Sequence, residues 1–201
     1  AQVLADLHRT DLVALRVTGE PARQPREELE LWCATMTAAR MDDDPVFLRL
    51  REAMLADVPQ FGSAAVVHGD FRLGNILFDG AEPTGVIDWE IWSVGDPLID
   101  LGWFVQFTDG DNFPGVGRPA PGTPSAAEVI ATYRDLAGEN RTELSWFIAL
   151  GALKLAAIQA HNRRRHLDGR FHDPYQALLG PAIARHLQRG LDTVLDKPYD
   201  D

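Results

Sequence analysis

Three short runs between Ala64 and Glu90 constrain this chain more than any other part of it. AAVVHG, NILFD and TGVIDWE are rich in β-branched and aromatic residues, and turn-forming Gly, Asp, Asn and Pro separate them. They read as strands of a small sheet. On either side the apolar residues return at helical spacing. The expected fold class is therefore α+β, mainly helical, with a small antiparallel β-hairpin sheet that carries a loop dense in polar groups.

The helical segments announce their own starts. AQVLADLHRTDLVAL, with Val3, Leu4, Leu7 and Leu12, predicts a helix already under way at the first residue. It carries no initiator Met, basic n-region or apolar h-region, so a longer parent polypeptide is expected. REELELWCATMTAAR follows Pro25, with Glu27 and Glu28 at the positive end of the helix dipole. DPVFLRLREAMLADVP opens with Asp44 as N-cap and Pro45 at the first helical position. Beyond the strands a helix starts after Asp96-Pro97, where capping accounts for Asp96. A loop rich in Gly and Pro then runs from Asp109 to Pro124, and helices are predicted near Ser125 to Ala137, Thr142 to Leu167 and Tyr175 to Leu195.

Composition narrows the function classes. With 201 residues, 45% of them hydrophobic, the chain forms one globular domain or one large lobe. Its net charge of -11 argues against a nucleic-acid or anionic-membrane partner, because such partners are held by Lys and Arg. A phosphate ligand has to be held locally, by metal or by a few basic groups. The single cysteine, Cys33, allows neither an intrachain disulfide nor a cysteine zinc site and points to a reducing, cytoplasmic location. The longest apolar stretch, Trp146 to Ala160, is short for a bilayer span and is interrupted by Lys154.

The strand region also carries chemistry. If NILFD and TGVID pair as a hairpin around Gly80 to Pro83, a register centred on Ala81 and Glu82 sets Asn75 opposite Asp88 at the open end. Asp70 lies in the loop that enters the same end. A lone His-Gly-Asp is commonly a turn in which Asp caps a backbone N–H. Two carboxylates and a carboxamide together are hard oxygen ligands suited to Mg²⁺ and, with it, to phosphoryl transfer.

HGDFRLGN, then IDWE with its Asp thirteen residues after Asn75, then GDPLIDLGW, resembles the aminoglycoside phosphotransferase family, relatives of the eukaryotic protein kinases. HGDFRLGNILFD and KLAAIQAHNRRRHLDG are most similar to its branch of kinase-like domains in acyl-CoA dehydrogenase-associated proteins, which act on hydroxyacyl-CoA. The resemblance implies a protein-kinase-like C-terminal lobe over residues 1–201, ATP as phosphate donor with GTP open, Mg²⁺, and a small-molecule acceptor. It assigns Asp70 to the acceptor hydroxyl, Asn75 and Asp88 to the metal, and Arg72 to the transferred phosphate, with His68 and Asp100 supporting the loop. The motif Asp88-Trp89-Glu90 stands where kinases carry Asp-Phe-Gly, so no glycine-dependent flip is expected. No glycine-rich phosphate loop and no early strand lysine occur, and Lys154 and Lys197 are the only lysines. The ATP-gripping N-terminal lobe is therefore expected to lie outside this chain.

Several residues keep two readings. Glu90 is an acceptor-facing group or an ordinary loop carboxylate. Arg163, Arg164, Arg165 and His166 are a solvated helix end favoured by the negative dipole, or a contact for an anionic acceptor such as CoA phosphates. Trp89, Trp92 and Trp103 read as core or cleft wall, and His8 as a helix-end residue. Three functions follow: a kinase for a small-molecule hydroxyl with a hydroxyacyl thioester as leading acceptor, an aminoglycoside or amino-alcohol kinase, and a non-catalytic pseudokinase lobe.

Overall fold

Helix starts in the computed structural model, which describes residues 1–113 and 122–196, follow local capping chemistry. Helix α1 spans Gln2–His8, α2 Pro25–Ala38 and α3 Pro45–Ala56. In α2, Pro25 occupies the first turn, and the Gln24 amide donates to Glu27 Oε2 at 2.8 Å within a capping box. The Asp44 carboxylate accepts from the amides of Val46 (2.9 Å) and Phe47 (3.0 Å), which opens α3. The first helix is shorter than its apolar spacing suggests. It ends at His8, and Asp11 then accepts from the Val13 amide at 2.8 Å, a side-chain turn that competes with further helix.

The strands are β1 (Ala65–Val67), β2 (Ile76–Asp79), β3 (Glu82–Val86) and β4 (Ser93–Gly95). They form two antiparallel pairs rather than one sheet: β1 with β4, and the hairpin β2–β3. The stretch 68–75 runs from one pair to the other. The hairpin register differs from the expected one. Asp79 pairs with Glu82 across Gly80-Ala81, and a shift between Leu77 and Phe78 leaves Thr84 as the extra residue, so Ile76 faces Val86. The Ile87 amide accordingly donates to Asn75 O at 2.9 Å, which makes Ile87, not Asp88, the partner of Asn75.

The remaining helices are α4 (Leu98–Val105), α5 (Ala126–Ala137), α6 (Leu144–Leu167) and α7 (Gly180–Asp196). Part of the Gly/Pro-rich loop expected from Asp109 to Pro124 lies outside the described residues, as does Lys197. Helix α6 is long and apolar enough to cross a bilayer, but 83% of its apolar window is buried against the rest of the molecule, so it is the core helix. Helices α2, α4 and α7 all pack on it. Two glycines let α4 and α6 touch backbone to backbone. A Cβ on Gly102 would lie 2.1 Å from Phe147 O, and one on Gly151 2.3 Å from Gly102 O. Asp96 caps α4 by accepting from the Leu98 amide at 3.0 Å, and it also forms a buried ion pair with Arg141 at 2.7 Å.

Gly151→Ala should cost about 3 kcal/mol and lower Tm by about 6–12 °C, because neither backbone can yield to the new methyl. Gly19→Ala, where no atom lies within 4 Å, should leave Tm unchanged in the same thermal scan. A second expectation concerns His186 of α7, which is fully buried. Burial first, then Arg185, pushes its pKa down to about 4. The unfolded chain binds that proton near pH 6.5 while the folded chain stays neutral, so stability present above pH 6.5 is lost as pH falls toward 4. His186→Leu should flatten the Tm-versus-pH curve in that window.

Candidate active site

The loop 68–75 is held from beneath by one carboxylate. Asp100, fully buried on α4, accepts from the His68 amide (2.6 Å) with Oδ2 and from the Gly69 amide (2.8 Å) with Oδ1. His8 Nε2 lies 3.2 Å from Oδ2, and His8 Nδ1 lies 2.7 Å from the Tyr133 hydroxyl. Burial pushes the Asp100 pKa up, but these donors outweigh it and hold the group below the usual carboxylate range. Gly69 has φ +84°, and a Cβ there would lie 2.5 Å from Ile91 O, so only glycine fits.

His68 links the loop to the hairpin. The Asp70 amide donates to its Nδ1 (3.1 Å), which assigns the proton to Nε2, and Nε2 donates to Ile87 O (2.9 Å). Ile87 thus has its carbonyl fixed by His68 and its amide fixed by Asn75. Asp88 follows at once, exposed, with φ +70° in the left-handed region. Asp tolerates that region better than most residues, at a strain of order 1 kcal/mol. The Trp89 ring, 4.5 Å from the His68 ring, covers the imidazole, and its Nε1 donates to Val86 O at 2.8 Å.

Asp70 is surrounded by donors. Trp103 Nε1 donates to Oδ1 at 3.1 Å, while Asn75 Nδ2 (2.9 Å) and Arg72 Nε (3.2 Å) donate to Oδ2. Asn75 Nδ2 also reaches Asp70 O at 2.8 Å. The carboxamide nitrogen is thereby committed to Asp70, and Oδ1 is the atom that Asn75 has left to offer. Among the described residues no group of three His, Cys, Asp or Glu side chains is placed to hold a metal. Asn75 Oδ1 and the exposed Asp88 carboxylate are two hard oxygen donors, a set that fits Mg²⁺, which keeps waters and takes phosphate oxygens. On the hairpin's outer face Leu77 and Ile87 are 49% and 43% exposed, an apolar shelf beside these groups.

The structure therefore gathers His68, Asp70, Arg72, Asn75 and Asp100 and sets Asp88 beside them. It does not bring in the others. Glu90 is exposed on the turn after Asp88. Arg164 is paired with Asp168 at 2.5 Å, and Arg163 lies against Gly180. Arg163 lies nine positions along the helix from Lys154, which contacts the loop, a rise of about 14 Å. Arg163 and Arg164 thus lie toward the far end of α6 from the contact that Lys154 makes with the loop.

Three contributors escaped sequence reasoning: His8, Trp103 and Lys154. Lys154, 3% exposed, donates from Nζ to the Gly69 carbonyl. Its signal was visible as a lone charge inside an apolar run, and that of Trp103 as a position three residues after Asp100 on one helix.

With that geometry in hand, comparison with known proteins is decisive at the family level. The model of the phosphotransferase enzyme family matches residues 1–121. The chain belongs to this family. Human acyl-CoA dehydrogenase family member 11 is 31% identical to it over 180 residues, which cover 84% of this phosphotransferase chain and 23% of the relative. A Ralstonia eutropha protein assigned as an aminoglycoside phosphotransferase superposes with a TM-score of 0.84 at 21% identity, covering 98% of this chain and 64% of that one. A spectinomycin phosphotransferase solved with ADP and spectinomycin gives a TM-score of 0.53 at 15% identity, covering 98% and 63%. This phosphotransferase chain thus spans under a quarter of the curated relative. The fold is the mainly helical kinase-like one that the motifs implied.

Within this phosphotransferase, Asp100→Ala should leave two loop amides and His8 without an acceptor and cost about 3 kcal/mol in urea unfolding. Hydrogen exchange should speed up at the His68 and Gly69 amides first. Unchanged protection at both would contradict the role given to Asp100.

Proposed function

We propose that this chain is the catalytic lobe of an ATP- and Mg²⁺-dependent kinase for the hydroxyl of a small molecule, with a hydroxyacyl thioester such as a hydroxyacyl-CoA as acceptor. The observation that carries the reading is the Asp70 carboxylate, held by Trp103, Asn75 and Arg72, with Asp88 next to Ile87, whose amide donates to the Asn75 carbonyl. Each of those donors orients a lone pair, which leaves Asp70 able to accept one more proton.

In the proposed reaction Asp70 takes the proton of the acceptor hydroxyl as its oxygen attacks the γ-phosphorus. The bond from that phosphorus to the β,γ-bridging oxygen breaks, and ADP leaves with the electron pair. Asn75 Oδ1 and Asp88 would hold Mg²⁺, which would supply neutralisation of phosphate charge. Arg72, partly exposed and paired with Asp70, would contact the transferred group. Leu77 and Ile87 offer an apolar floor for the base of the nucleotide. The thioester acceptor is favoured by the likeness to acyl-CoA dehydrogenase family member 11.

A second acceptor class has its own support. The net charge of -11 favours a cationic aminoglycoside or amino alcohol, and the arginines at the end of α6 do not oppose it, since they lie away from the loop. A non-catalytic lobe is disfavoured by the presence of Asp70, Asn75 and Asp88 together. Cytoplasmic residence suits Cys33, whose half-buried thiol is pushed up to about 11 by burial.

Asp70→Asn in the full-length protein should keep the fold and lower kcat by roughly 10²- to 10⁴-fold. Phosphate transfer to hydroxyacyl-CoA, aminoglycoside and ethanolamine acceptors, measured side by side, decides the class. Wild-type turnover by Asp70→Asn would defeat the assignment, and transfer to the cationic acceptors alone would replace the thioester.

A further inference from the structure

Lys154 is the one lysine among the described residues, and it stands in the apolar core. Its ammonium donates to the Gly69 carbonyl and sits between two indoles, 4.8 Å from the Trp32 ring centre and 4.7 Å from that of Trp103. The carbonyl it holds belongs to the Gly69–Asp70 peptide. The N–H of the same peptide donates to His68 Nδ1, so both ends of the group that carries Asp70 are fixed. Trp103, whose face covers the ammonium, uses its Nε1 to reach Asp70 Oδ1.

Burying this charge is costly. Burial lowers the lysine pKa, against the opposing pull of Glu28, Asp100 and Asp70. Glu28 is itself 3% exposed and is bonded by Arg23 (2.6 Å) and by Trp32 Nε1 (3.0 Å). A Leu or Met at position 154 would fill the core without the desolvation cost of a buried ammonium. A charge kept there at that cost, on a contact with the loop, has work beyond packing.

We propose that Lys154 is a positioning residue for Asp70, whose ammonium locks the Gly69–Asp70 peptide and the Trp103 indole in the arrangement that aims the Asp70 carboxylate at the acceptor hydroxyl. This rests on the reading of Asp70 given above. It makes α6 part of the site through the Gly69 carbonyl.

The test is steady-state kinetics of Lys154→Met in the full-length protein, with Asp70→Asn in parallel. The expected result is a fall in kcat of roughly 10- to 100-fold per folded molecule, with KM for ATP and acceptor changed less than about threefold. Trp103→Phe should lower kcat alone and add little in the Lys154→Met background. If Lys154→Met does not fold, Lys154→Met with Glu28→Gln removes both charges together and carries the same expectation. If neither folds, Trp103→Phe decides. Wild-type kcat in the folded lysine variant, or in Trp103→Phe when it must decide, overturns the inference. A loss that follows only the folded fraction overturns it as well. Asp70→Asn separates the failures: inactive beside a fully active Lys154 variant, it condemns the positioning role alone, whereas an active Asp70→Asn removes the reading of Asp70 and this inference with it.

Discussion

The carboxylate of Asp100 is the joint on which the rest of the molecule turns. It sits on α4, accepts two amides of the loop that follows β1, and is reached by His8 at the end of α1. Three segments far apart in sequence meet on one buried anion. Without these donors the charge would be prohibitively expensive to bury, and without the charge the loop amides would lack acceptors. The loop's shape therefore depends on α4, and α4 depends on α6, against which it lies at glycine contact.

From that joint the fixation passes outward to the chemistry. His68, whose amide donates to Asp100, fixes both the Asp70 amide and the Ile87 carbonyl; Asn75 fixes the Ile87 amide and the Asp70 carboxylate. Asp70 and Asn75, and Ile87 just before Asp88, are thus tied by hydrogen bonds that link side chains to backbone rather than by packing of flexible side chains. Such a network holds polar groups in place before any ligand arrives, which is what phosphoryl transfer by positioning requires. The acidic surface then has local rather than general meaning. Under the proposed function, a phosphate ligand would be held by Arg72 and a metal instead of a basic face.

Much of this was legible in the residues because it is local. Pro25, Asp44 and Ser125 mark helix starts whose caps form as their side chains dictate. The hairpin and its loop were legible from turn residues and β-branched runs. The register was misplaced by a residue because the Gly80-Ala81 turn is tight and the extra residue enters later, at Thr84, where no composition signal marks it. Strand β4 was missed because Ser93–Gly95 is too short to show a pattern and exists only through its pairing with β1. His8, Trp103 and Lys154 join the site through tertiary contacts alone. Arg163 and Arg164 show the same limit: a helix pattern tells that they share an end, not where that end points.

The central claim is that Asn75 and Asp88 form a divalent-metal site completed by the phosphates of a nucleotide. Electron paramagnetic resonance of Mn²⁺ titrated into the full-length protein with ATP tests it most directly. The account predicts a bound-Mn²⁺ signal in the wild type that is weakened strongly by Asp88→Asn and by Asn75→Ala while the fold is retained. Equal Mn²⁺ binding by the wild type and both folded variants would contradict it.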